Sequence, residues 1–193
     1  VLVGTLGAGG KGYFVLDVTD PANFTPAKAG ALVLTDTTKS SDPDLGHIMS
    51  PPLVDSAVDN KSRQIVKMNG PGGGRWAVVL GNGYNSINEA PVLVIQYLDG
   101  DKEIKKLSPC DIPVSNKCSA NYKGNGNGLS TPQAIDLNGD GKVDIAYAGD
   151  LKGNLWKFNL TDADDSKWSV SFNGEPFFMA RPTTTTVQSI TTA

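Results

Sequence analysis

Apolar and polar residues alternate over short runs along almost the whole chain, and the i, i+3, i+4 spacing of amphipathic helices is nearly absent. Three stretches follow one plan: "VLVGTLGAGGKGYFVLDVTD" (1–20), "WAVVLGNGYNSINEAPVLVIQYLDGD" (76–101) and "IAYAGDLKGNLWKFNLTD" (145–162). Each is an apolar strand ending in Gly, a Gly/Asn-rich turn, a second apolar strand and an Asp-containing turn. A shared element opens the second and third units, "SPPLVD" (50–55) and "STPQAID" (130–136), and "QSITTA" (188–193) is the same element cut short. A further strand closes each unit: "GALVLTDT" (30–37), "KEIKKLSP" (102–109) and "KWSVSFNGEPFFMA" (167–180). "PGGGRW" (71–76) reads as a tight hairpin between "RQIVKMN" and "WAVVLGN".

Four short antiparallel strands repeated every ~45–80 residues predict an all-β fold, a β-propeller with loops of variable length. The first unit lacks its opening strand, so about two and a half blades are expected: 1–45, 46–126 and 127–182, with 183–193 starting another. Such a piece leaves open edges, which implies further blades or a partner. A β-sandwich of twisted sheets is the alternative, and the repeat spacing favours the propeller.

Composition narrows the function classes. The formal net charge is -3 over 193 residues and the pI is about 5.1, so no basic field exists to hold nucleic acid or anionic lipid. No run approaches the ~20 apolar residues of a membrane helix. The chain begins inside an apparent strand at Val1 and stops at Ala193, which reads as a piece of a longer protein. Cys110 and Cys118 lie in the polar loop "PCDIPVSNKCSA", too few for a four-ligand metal site and not at CxxC spacing. A short-loop disulfide is favoured over two free thiols, and it points to export.

Several features reduce to structural readings. "GAGGKG" (7–12) satisfies G-x-G-x-x-G, but a strand follows where a phosphate site needs a helix N-terminus, so it is a hairpin turn. His47, the only histidine, has no serine or cysteine motif near it and reads as structural. Trp76, Trp156 and Trp168 are expected to pack between blades, and Asp162, Asp164 and Asp165 to form a solvated turn.

"DLNGDGKVD" (136–144) is different. With Asp136 as position 1, Asn138 falls at 3, Asp140 at 5, the Lys142 carbonyl at 7 and Asp144 at 9. Gly141 stands at position 6, where the chain must turn sharply. Alternating oxygen donors in a tight loop suit Ca²⁺, which takes six to eight oxygens. Position 12 is Tyr147 rather than the bidentate glutamate of an EF-hand, and both flanks read as strands. The expectation is a calcium loop on a hairpin, with the Lys142 ammonium pointing to solvent.

"DLNGDGKVDIAYAGD" resembles the calcium repeats of integrin-type propellers. Over nearly the whole chain the match is closer to the C-terminal propeller of the type IV pilus-associated tip adhesins and biogenesis factors, the PilY/PilC family. "GAGGKGYFVLDVTDP" (7–21), "RWAVVLGNGYNS" (75–86), "NGLSTPQAIDLNGDGKVDIAYAGDLKGNLWKFNL" (127–160) and "PFFMARP" (176–182) carry the resemblance, in the family's order. It implies a non-enzymatic, Ca²⁺-regulated protein of a Gram-negative bacterium, placed at the pilus tip, the outer-membrane surface or the periplasm. Such a protein promotes pilus extension, opposes retraction, binds pilins and supports attachment. Host receptors would be engaged by an N-terminal region that this stretch lacks. The family's calcium loop carries over onto Asp136, Asn138, Asp140, Lys142 and Asp144. Two alternatives stay open: an integrin-like ligand-binding propeller, and a quinoprotein dehydrogenase, whose blades carry repeats similar to "AGDLKGNLW" (148–156).

Overall fold

The computed structural model describes residues 1–49, 65–111, 122–183 and 186–191. Within them the chain forms three antiparallel sheets in sequence order. The first holds β1 (Leu2–Thr5), β2 (Tyr13–Leu16) and β3 (Val33–Asp36). The second holds β4 (Val66–Met68), β5 (Arg75–Gly81), β6 (Leu93–Tyr97) and β7 (Ile104–Leu107). In the third, β8 (Gln133–Ile135), β9 (Ile145–Gly149) and β10 (Asn154–Asn159) are followed by β11 (Ser169–Val170) and β12 (Phe178–Met179), which both pair with β10. Apart from the β10–β12 pair, neighbours in each sheet are consecutive in the chain, as short turns require. The sheets do not close on themselves, which is the arrangement of a partial propeller.

Two details differ from the sequence pattern. The strand that opens the second sheet is β4, whereas "SPPLVD" (50–55) lies outside the described residues. The single closing strand expected over 167–180 is two strands. β11 pairs with Phe158 and Asn159, and β12 pairs with Asn154 and Leu155. Between them Phe172 and Asn173 take φ of 56° and 55°, a left-handed turn ahead of Gly174 that no extended strand can pass through.

The middle sheet is buried on both faces, which explains its unbroken apolar runs. Val78 and Leu80 of β5 and Val94 of β6 pack with Val3, Tyr13 and Val15 of the first sheet. Their alternate neighbours Ala77, Val79, Leu93, Ile95 and Tyr97 pack with Ala146, Ala148, Trp156 and Phe158 of the third. Period-two alternation thus splits one sheet between two cores. The outer faces of the flanking sheets stay open, with Leu2 and Val33 exposed on one and Ile135, Phe172 and Phe177 on the other. Among the described residues no helix is long and apolar enough to cross a membrane.

Glycine at the end of the second strand of a unit marks where the next unit enters. A Cβ on Gly81 would collide with the backbone of Leu129 and Ser130, and one on Gly149 would collide with Ile190. The crossing segments are bonded there, Leu129 O accepting from Gly83 N at 3.1 Å and Ile190 N donating to Asp150 O at 2.9 Å. Gly81→Ala should therefore cost ~1–3 kcal/mol in urea unfolding, as overpacking against main chain does. Gly9→Ala, with nothing within 4 Å of its Cβ, is the control and should change little.

Candidate metal centre

The loop 136–144 joins β8 to β9 at the tip of a hairpin. Ile135 pairs with Ile145, and Asp144 N donates to Ile135 O at 2.9 Å, so the loop is closed at its base by main chain. Gly141 has φ of 81°, a region that L side chains rarely adopt, and no atom lies within 4 Å of its Cβ position. Glycine is required there by backbone conformation, not by crowding.

The side-chain oxygens of the loop fold back on its own N–H groups. Asp136 accepts from Gly139 N and Gly141 N, both at 2.7 Å. Asn138 Oδ1 accepts from Asp140 N at 2.9 Å, and Asp140 Oδ1 from Lys142 N at 3.0 Å. Asp144 is buried; its Oδ2 accepts from Leu137 N at 2.8 Å and its Oδ1 from Asn69 Nδ2 at 3.0 Å. The structure thus gathers Asp136, Asn138 and Asp140 on one exposed turn and sets Asp144 into the body beneath it. Among the described residues no three His, Cys, Asp or Glu side chains form a preformed metal cluster.

The Lys142 ammonium does not point to solvent as expected. It lies 2.9 Å from Asp140 Oδ2, because an unneutralised carboxylate two residues away attracts it. That hydrogen bond holds the Asp140 carboxyl below the ordinary aspartate range, and the charge of Lys67 adds to it. The donor set fits a hard cation: oxygens alone, on an exposed turn that water can reach, with an intramolecular ammonium occupying the electrostatic role a metal would take.

Other expected residues find definite places. His47 is structural: its backbone bridges Tyr84 in both directions and its Nδ1 lies 3.1 Å from Gly7 O. Gly7–Gly9 form the turn between β1 and β2, as the hairpin reading requires. Trp156 and Trp168 are buried, but Trp76, the second residue of β5, is 45% exposed beside the half-buried Arg75. Asp162 and Asp164 lie in an exposed turn, whereas Asp165 leaves it to accept from the Tyr97 hydroxyl (2.9 Å) and to pair with Lys105 (3.0 Å) across the seam. Arg75 covers the Tyr97 ring at 3.7 Å and pairs with Asp99 and Glu103. Cys110 N donates to Ser108 Oγ after β7, and Cys118 lies outside the described residues.

Sequence reasoning missed a pair of buried polar staples. Asn82 and Asp150 each follow the glycine that ends the second strand of a unit. Asn82 Oδ1 accepts from Val92 N (3.1 Å) and Leu129 N (2.8 Å), while its Nδ2 donates to Ala90 O and Asp44 O. Asp150 accepts from Asn154 N and Trp156 Nε1, each at 2.9 Å, and from the side-chain amides of Asn154 (3.0 Å) and Asn127 (3.2 Å). Superposing "LGNGY" on "AGDLK" was the available signal. This bonding also gives "AGDLKGNLW" a structural role, since its aspartate and tryptophan are spent on each other. Asn69, reaching Asp144 from 75 positions away, had no sequence signal at all.

A family model described as the PilY1 beta-propeller domain matches residues 1–193. The chain is 38% identical over 211 residues to the type IV pilus biogenesis factor PilY1 of Pseudomonas aeruginosa UCBPP-PA14, a match covering 99% of this chain and 16% of that protein. It is 38% identical over 189 residues to a type IV pilus biogenesis factor PilY1 homolog of Xylella fastidiosa Temecula1, covering 94% of this chain and 11% of that protein. The crystal structure of the Pseudomonas aeruginosa PilY1 C-terminal domain superposes with a TM-score of 0.70 at 34% identity, covering 98% of this chain and 36% of that one. The chain therefore spans under a fifth of these full-length relatives and about a third of the solved domain.

Proposed function

The chain belongs to the PilY1 beta-propeller domain family, and from that membership we propose that it is the calcium-binding propeller portion of a type IV pilus biogenesis factor. In this reading the protein is exported to the pilus tip, the outer-membrane surface or the periplasm. It acts by binding pilus components, minor or major pilins, rather than by catalysis; it promotes extension, opposes retraction and supports attachment. The Cys110–Cys118 bridge belongs to the same exported setting.

The observation that carries the calcium reading is the all-oxygen hairpin 136–144, set into a chain similar along its whole length to pilus biogenesis factors. Asp136, Asn138, Asp140, the Lys142 carbonyl and Asp144 would hold the ion. Bound there, calcium would supply the positive charge that three closely spaced carboxylates need. The loop residues then have two alternatives, bonding their own N–H groups and the Lys142 ammonium, or turning their oxygens to the ion. A loop with two such states can bias contacts with a neighbouring pilin.

Asp136 and Asp140 are exposed, so Asp136→Ala and Asp140→Ala should fold as the parent does. In calorimetric titration with Ca²⁺ the parent should bind, and each variant should lose ~100-fold in affinity or more, the upper range seen when merely supporting residues are removed. Equal binding by parent and variants would end the calcium assignment. In the piliated bacterium, the same substitutions should reduce surface pili at unchanged protein level. Normal piliation in a strain whose protein no longer binds calcium would separate the ion from assembly.

A further inference from the structure

We propose that Asn69 is a positioning residue for the calcium loop, holding Asp144 in its ligand orientation and tying the loop to the seam between the second and third sheets. The proposal rests on the calcium reading above and goes beyond it, since Asn69, which directly follows β4 of the second sheet, lies outside the loop and is no ligand.

The geometry is specific. Asn69 Nδ2 lies 3.0 Å from Asp144 Oδ1, 3.1 Å from Val143 O and 3.2 Å from Leu160 O. All three neighbours are acceptors, so the amide nitrogen and not its oxygen must face them, and its two hydrogens are shared among three oxygens. The residues before it reinforce the junction. Val143 N donates to Lys67 O at 2.9 Å, and Met68 bridges Val143 in parallel, both side chains buried. The last ligand of the loop therefore stands on the end of β4. Leu137 N holds the other oxygen of Asp144. Between them the two donors fix the carboxylate plane, each oxygen accepting one hydrogen bond from the described residues.

Two consequences follow. An Asp144 carboxylate that is already oriented loses little rotational freedom when it meets an ion, and removing Asn69 returns that freedom. Outer-shell partners of this kind change metal affinity by ~10–100-fold when removed. Coupling is reciprocal, so an ion that draws on Asp144 also strengthens the grip of β4 on the third sheet.

The test compares parent, Asn69→Ala and Asn69→Ser chains by Ca²⁺ calorimetry and by thermal unfolding with and without Ca²⁺. Asn69→Ala should bind at least ~10-fold more weakly and show a smaller calcium-induced rise in Tm. Asn69→Ser, which keeps one hydroxyl donor, should fall between the two and serves where the alanine chain fails to fold. A purely structural role would lower Tm equally with and without the ion and leave affinity at the parent value. That result overturns the proposal while the calcium reading stands. A parent chain that binds no Ca²⁺ removes both.

Discussion

Asp150→Ala should cost ~3–5 kcal/mol of stability, the scale for stripping one partner from a buried charged network. The carboxylate is fully buried and accepts from four donors, so its loss takes an acceptor from Trp156 Nε1, the Asn154 N–H and the Asn154 and Asn127 amides, of which Asn127 still donates to Tyr122 O at 2.9 Å. Each stranded donor alone costs ~1–3 kcal/mol, and partial relaxation keeps the total below their sum. Asp150→Asn should do almost as badly, because its NH₂ would face donors. The pH dependence carries a second signature. Burial is the largest influence on Asp150 and holds its carboxyl above the ordinary aspartate range, with hydrogen bonds from Asn154, Trp156 and Asn127 pulling the other way. A raised folded pKa contributes stability that is present below the unfolded value of about 3.9 and is lost as pH rises through the folded one. The gap between parent and Asp150→Ala should therefore narrow as pH rises across that window. A gap that is small at every pH, measured by urea unfolding, would mean that the donors find other partners.

The sequence showed the repeat because period-two patterning and glycine punctuation are local. The strands β1, β2, β6, β9 and β10 all lie inside the three stretches that matched one another, and β5 begins one residue before the second. The run "AVVL" (77–80) has no solvent face, since its residues alternate between two cores. What escaped was decided by contacts the fold creates rather than by local pattern. Asn82 looks like a turn residue and becomes a staple because Leu129 of the following unit reaches it, and Asp150 becomes one because Asn127 and Trp156 of its own unit converge on it. Lys142 looked like a solvated lysine until the fold set it beside Asp140. Asp165 differs from Asp162 and Asp164 only because Tyr97 and Lys105 of the next sheet reach it. The proposed calcium loop was legible for the opposite reason: the oxygens that would hold the ion come from nine consecutive residues.

Trp156→Ala should be the most damaging apolar substitution, at ~3–5 kcal/mol. Its indole is fully buried between the second and third sheets, meets the Tyr122 ring edge-on at a centroid distance of 5.0 Å, and donates to Asp150. A cavity there cannot be filled from Ala146 or Ala148, the small residues that β9 presents to the same core. The damage should also be local. The core shared by the second and third sheets contains no residue of β1, β2 or β3, and sheets stacked in series lose stability at the interface that is cut. Amide exchange should accelerate in β8, β9 and β10 at denaturant concentrations where β1 and β2 stay protected. Combined with Asp150→Ala, the loss should fall short of additivity by ~0.5–3 kcal/mol, because the two side chains share one hydrogen bond and one cavity. Strict additivity would assign the tryptophan to packing alone, and uniform exchange in all three sheets would show that the stack unfolds as a single cooperative unit.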